Sequence, residues 1–285
     1  MPEKQKKTLN QIAVFLALVI AISAGIFAWM FAGARDSVVA VLAMMWTPGI
    51  AAILTSLIFG ERIGGLGWKP GKARFLGYGY LLPVMVAVAG YGLVWLVGLA
   101  EFTSQNVVNY RWAAMLGFSL PTHFLVGFLA KLLLATPVDV FFVLGEEIGW
   151  SGFLTPRLAK VLSVPAASLF TGIFWAAWHY PALIGGLYGS GAPLWAALPG
   201  FTLVLIGASF LRAALVLKAK SLWPGVMVHA GHNVVLMGIF NEMTVNKGYA
   251  RYLVSETGVF LGIVYVLIAV GFWKALKASG VASQQ

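Results

Sequence analysis

Val-Phe-Phe-Val-Leu-Gly-Glu-Glu-Ile-Gly-Trp, residues Val140 to Trp150, places two adjacent carboxylates, Glu146 and Glu147, at the end of an apolar run. The run continues backwards to about residue 124, long enough to cross about 30 Å of hydrocarbon at a helical rise of about 1.5 Å per residue. An ionisable side chain at that depth costs roughly 2.5 kcal/mol or more, so such residues mark functional sites by default. Two in succession sharpen the inference.

The rest of the chain repeats the pattern. Of 285 residues, 60% are hydrophobic and 10% charged, with a mean hydropathy of +0.89; soluble domains carry roughly 25% charged residues. Apolar runs recur at approximately 11–33, 38–59, 76–99, 124–150, 164–184, 194–216, 222–240 and 257–276, each near the length of a spanning helix. The expected fold is an all-α polytopic membrane bundle of about eight helices in one domain, 1–285. The first run is too long for a signal-peptide core and lacks a small-residue cleavage site, so it reads as retained. The interval 60–75, Gly-rich and basic, reads as a loop or an interfacial segment. No internal repeat or inverted pair of broken helices favours a transporter.

Charge bias sets an expected orientation. With the amino terminus inside, fourteen cations fall on the inner side (Lys4, Lys6, Lys7, Arg62, Lys69, Lys72, Arg74, Arg157, Lys160, Arg212, Lys218, Lys220, Lys274, Lys277). Four fall outside (Arg35, Arg111, Lys247, Arg251), and Lys131 lies within a run. The positive-inside rule then gives N-in, C-in topology, as expected of a prokaryotic plasma-membrane protein. The net charge of +10 is spread over short loops. It therefore points to the bilayer as partner rather than to nucleic acid. There are no cysteines, which excludes disulfides, thiolate nucleophiles and cysteine metal sites.

Three runs carry side chains that spanning helices avoid: Glu146 and Glu147 in the fourth, His179 in the fifth, and His229, His232 and Asn233 in the seventh. At about 100° per residue, His229 and Asn233 share a face and His232 borders it. Glu146 and Glu147 diverge by about 100°, so one can do chemistry while a structural partner holds the other. Taken singly, each has a plainer reading. An intramembrane His or Asn often joins helices by a hydrogen bond, and the aromatic residues around His179 suit packing and interfacial anchoring. Asp139 suits a proton relay, a cap near Pro137, or a pair with Lys131. A core spanning the fourth, fifth and seventh helices requires these helices to tilt or start unevenly. If the fourth ends near Leu154, Glu146 lies roughly 12 Å from the inner edge and His179 roughly 21 Å.

Glu-Glu-Ile-Gly-Trp-x-Gly-Phe-Leu-x-Pro-Arg-Leu (146–158), Trp-Ala-Ala-Trp-His (175–179) and His-Ala-Gly-His-Asn (229–233) resemble, in order, the three motifs of the CAAX-prenyl-protease and bacteriocin-processing membrane protease family, CPBP or Abi. These motifs are a Glu-Glu pair followed by Arg, an aromatic residue (here Trp175) four before a His, and a His four before an Asn. The family-like core covers about residues 120–245, and the first third agrees only in hydropathy and in a Leu-Gly-Trp-Lys-Pro loop. The resemblance implies an intramembrane endopeptidase acting on a peptide or membrane-protein substrate, with Glu146, His179, His229 and Asn233 as the catalytic set and Glu147 as the structural acid. One position departs. Ser151 stands where the family has Arg, four residues after the second Glu. Arg157 or His232 would then carry the counter-charge, or Glu147 would be protonated.

A desolvated Glu146 suits a general base for water shared with His179, and His229 with Asn233 suits an oxyanion site. No cofactor is expected. The alternative chemistry is zinc held by Glu146, His179 and His229, a His and Glu set with an open position for water, although no His-Glu-x-x-His motif is present. A non-catalytic scaffold, carrier or immunity protein on the same fold is the alternative from another class.

Overall fold

The computed structural model describes residues 1–104, 124–245 and 248–278; Arg111 and Lys247 of the charge count lie outside them. Among the described residues eight long helices form the bundle. They are α1 (Glu3–Ala34, its last turn Met30–Ala34 widened), α2 (Val38–Ile58), α3 (Ala73–Leu96), α4 (Phe124–Leu158), α5 (Val164–Ile184), α6 (Leu194–Ala219), α7 (Trp223–Gly231 continued by a π-helical His232–Asn241) and α8 (Val259–Ala278). Each expected run falls on one of them. Among the described residues six, all but α5 and α7, are long and apolar enough to cross a membrane. α5 and α7 fall short because Trp, His, Pro and Asn interrupt them. Two-residue strands, Glu101–Phe102 and Thr244–Val245, pair antiparallel beyond the helix ends.

Start signals are visible at two helices. Ser37 accepts from the Ala40 N–H and Ser163 from the Ala166 N–H, satisfying donors that the first turn leaves open. α4 departs from regular geometry twice, with π-helical turns at Lys131–Ala135 and Ile148–Leu154. The second begins immediately after Glu147, and such widened turns concentrate at functional sites. α4 also runs one turn beyond the expected end near Leu154.

Two hydrophobic clusters make the core. One gathers Phe15, Trp150, Phe153, Trp175 and Trp178 from α1, α4 and α5. The other gathers Val86, Tyr91, Leu211, Leu236 and Tyr265 from α3, α6, α7 and α8. α6 and α7 contribute to both, so the seam between the clusters runs along these two helices. Close contact between α2 and α4 depends on glycine, as expected where helices associate by packing in lipid. A Cβ at Gly145 would sit 2.5 Å from Trp46 Cα, and one at Gly49 would sit 2.6 Å from the Gly145 carbonyl oxygen.

Part of the interval 60–75 is anchored to the bundle, while Lys69 to Arg74 stay exposed. Leu66 is buried, Trp68 Nε1 donates to the Ile63 carbonyl, and Trp223 Nε1 donates to the Trp68 carbonyl at 2.7 Å. Arg157 belongs to this end of the bundle. It pairs with Glu61 at 2.5 Å, reaches Gln11 of α1, and lies over the Phe153 ring. Burial alone would push the Glu61 carboxyl up, but hydrogen bonds from Gln11 and Arg157, with the guanidinium charge, hold it below the usual range.

Gly145→Val should lower stability by about 1 to 3 kcal/mol, because the new methyls meet the α2 backbone with no room to relax. Gly92→Ala, at a position open on all sides, should leave the midpoint unchanged or raise it. Thermal unfolding of both purified variants in one detergent checks the difference.

Candidate active site

A cavity of about 390 Å³ opens along the seam, and Glu146, His179, His229 and Asn233 all line it. The four residues come from α4, α5 and α7, so the separate faces read from the sequence meet in one space. Apolar walls of Phe27, Met30, Met44, Met45, Phe201 and Leu205 enclose them.

Glu146 is buried, and its Oε2 accepts from Trp175 Nε1 at 2.7 Å and from Trp150 Nε1 at 3.3 Å. Trp175 touches every other part of the site as well. Its carbonyl meets His179 Nδ1 at 2.9 Å, its ring stands edge to face with His229 at 5.1 Å, and its face lies 4.1 Å beneath the Arg212 guanidinium. A carbonyl only accepts, so His179 carries its proton on Nδ1 and leaves Nε2 as the basic nitrogen. Trp178, Phe201 and Tyr188 surround that ring.

Glu147 has a different environment. It is fully buried; Oε1 receives Arg212 Nη1 at 2.6 Å and His229 Nδ1 at 3.1 Å, while Oε2 accepts from the Ser151 hydroxyl. With Nδ1 held by the carboxylate, His229 keeps Nε2 as its unengaged ring nitrogen, the arrangement by which a buried acid orients a working imidazole. Asn233 is oriented in the same manner, its Nδ2 donating to Asp139 Oδ1 at 3.2 Å. Lys131 donates to the Gly238 carbonyl, so the Asp139–Lys131 pair gives way to Asp139–Asn233.

The counter-charge expected of Arg157 or His232 comes from elsewhere. Arg157 is engaged with Glu61, and His232 Nδ1 meets the Tyr265 hydroxyl at 2.9 Å. Arg212 of α6 takes the position, 2% exposed and paired to a Glu147 that is 0% exposed. It had counted among the inner-side cations, within the 194–216 run; in the structure it lies inside α6. The signal was an arginine inside Gly-Ala-Ser-Phe-Leu-Arg-Ala-Ala-Leu (207–215), an apolar stretch where a charge needs a partner. Ser151 packs against α7: Gly225 at its start lies so close that a Cβ there would collide with the Ser151 hydroxyl and sit 2.8 Å from Glu147 Oε2.

Among the described residues no three His, Asp or Glu side chains gather as a metal ion requires. Two further polar residues, absent from the sequence expectations, also line the cavity: Tyr188 and Glu256.

The fold and this cavity define a multi-pass membrane protein with paired acids, two oriented histidines and an asparagine at its centre. Residues 121–235, which include all three motifs, match the sequence model of the family described as type II CAAX prenyl endopeptidase Rce1-like. Over that segment the chain is similar to this family. A stretch of 67 residues is 37% identical to CAAX prenyl protease 2 of Methanococcus maripaludis, covering 24% of this chain and 22% of that protein.

Arg212→Ala should destabilise the protein by about 3 to 5 kcal/mol, because it leaves a buried carboxylate without its counter-charge. Ser151→Ala should cost about 1.5 to 3 kcal/mol, the range for a hydrogen bond to a charged group. Chemical unfolding of both variants in detergent measures the ranking.

Proposed function

We propose that this protein is an intramembrane endopeptidase of the CAAX-protease type, hydrolysing a peptide bond with water activated by Glu146. The observation that carries the reading is the separation of the two glutamates. Glu147 is neutralised away from the cavity by Arg212, His229 and Ser151, while Glu146 lines the cavity beside His179. Both indole donors act on Oε2 of Glu146, which leaves Oε1 to accept a proton from water.

In this mechanism Glu146 takes the proton as the water oxygen attacks the scissile carbonyl carbon, and His179 Nε2 orients the water. The carbonyl oxygen becomes an oxyanion, received by the remaining Nδ2–H of Asn233 and by His229 Nε2, protonated on both ring nitrogens when it donates. As the C–N bond breaks, Glu146 returns the proton to the leaving amine. Metal is not required in this scheme. The substrate is a peptide or a membrane-protein segment entering an apolar cavity from the bilayer, and the basic-loop bias supports N-in, C-in insertion in a prokaryotic plasma membrane.

Purified protein in lipid nanodiscs should cleave a membrane-associated peptide, with products identified by mass spectrometry. Glu146→Gln should lower the rate by about 10² to 10⁴, and Asn233→Ala by about 10² to 10³. A metal chelator should leave the wild-type rate unchanged. Retained cleavage in Glu146→Gln, or inactivation by chelator that zinc reverses, would overturn the mechanism. Absence of any product, with a partner-dependent phenotype surviving Glu146→Gln, would instead establish a scaffold.

A further inference from the structure

The cavity has a second polar end. The α1–α2 turn, the loop after α5 and the loop before α8 lie at the same end of the bundle, and they contribute Arg35, Leu187, Tyr188 and Glu256 to its lining. Glu256 is half-buried. It lines the cavity. Tyr188 hydrogen-bonds its carboxyl, and no ion pair to Glu256 is formed among the described residues. Burial pushes this carboxyl up to about 7, against the lowering effects of the Tyr188 hydrogen bond and the His229 charge.

The backbone that presents Glu256 is held by several contacts. Ser255 adopts a left-handed conformation, φ 76°, unusual for a residue with a side chain. Its N–H donates to the Tyr91 hydroxyl at 3.0 Å, and its hydroxyl accepts from the Thr257 N–H at 3.3 Å. Thr257 in turn bonds Ser190 of the loop after α5, and a Cβ at Gly200 of α6 would collide with the Thr257 carbonyl. Strained conformations held in place by their surroundings cluster at ligand clamps and active sites. Here the turn holds an acid without a counter-cation against an apolar space that also contains the His229 and Glu146 side chains.

We propose that Glu256 forms a cation-accepting subsite at the loop end of the cavity, selecting a peptide substrate with a lysine or arginine to one side of the scissile bond. A basic side chain brings the charge the carboxylate lacks, and its aliphatic stem suits the methionine-lined wall. Arg35 lies at the same mouth but donates to the Gly185 carbonyl and stacks over Phe31, so it is engaged elsewhere. This subsite rests on the peptidase reading, and binding can be tested apart from cleavage.

The experiment uses full-length Glu146→Gln protein in nanodiscs and a fluorescent peptide series in which one lysine is moved along the chain and replaced by norleucine in a matched control. Anisotropy at pH 8 should show one position where lysine binds about tenfold tighter, a difference of about 1.4 kcal/mol. Adding Glu256→Gln should remove the lysine preference, and Glu256→Asp should keep part of it. Equal affinities at every position, no binding of either peptide, or a preference that survives Glu256→Gln would overturn the proposal. If Glu256→Gln does not fold, Glu256→Asp together with Tyr188→Phe decides by whether the preference shrinks. Cleavage by the wild type without lysine preference sinks the subsite alone, whereas lysine-selective binding without any cleavage sinks the peptidase reading and leaves the subsite standing.

Discussion

The structure depends on one buried ion pair. Glu147 and Arg212 meet at 2.6 Å with both side chains almost entirely removed from solvent. Such a pair contributes little by itself, because desolvation of the two ions offsets most of their attraction. Its importance is positional. The same carboxylate oxygen holds His229, the other oxygen holds Ser151, and the guanidinium lies over Trp175. Three helices are thereby registered against α6 at the level where the cavity lies. The pair thus adds to the direct edge-to-face contact of His229 with Trp175 in fixing the relation of the two rings.

Trp175 carries that order across to the other glutamate. A single side chain donates to Glu146, lies beneath Arg212, and stands against His229, while its main chain holds His179. The two acids, adjacent in sequence, thus occupy opposite roles and remain mechanically linked through one indole. Their different surroundings follow from helical geometry, since neighbouring residues diverge by about 100°. Whichever acid faced the α6 and α7 interface would meet the arginine and the imidazole, and the other would face the cavity.

Much of this was legible in the sequence, for reasons that differ by element. Each apolar run read from the sequence falls on a helix among the described residues, because a backbone in lipid must satisfy its own hydrogen bonds, which leaves a helix as the response to a long apolar run. The end of α4 was placed one turn short, near Leu154, since the apolar run thins there while the structure packs the segment against Leu66 and Leu222. Glu146, His179, His229 and Asn233 stood out because polar residues are costly in such segments. Arg212 did not. An arginine near the end of an apolar run can reach the interface with its long stem, so charge alone counted it among the inner-side cations; in the structure α6 packs it against Trp175 and Glu147. Glu256 escaped for the opposite reason: it follows a short polar stretch and reads as a solvated loop acid until the turn at Ser255 directs it to the cavity.

The contact between Gly225 and Ser151 ties the start of α7 to the buried acid. A Cβ at 225 would collide with the Ser151 hydroxyl and sit 2.8 Å from Glu147 Oε2, so positions 151 and 225 share one small volume beside a carboxylate whose counter-charge comes from α6. A larger side chain at 225 would press on Ser151 and Glu147 and, through that carboxylate, on Arg212 and His229. The absence of a side chain at one glycine thus sets the spacing of three helices around a single charge.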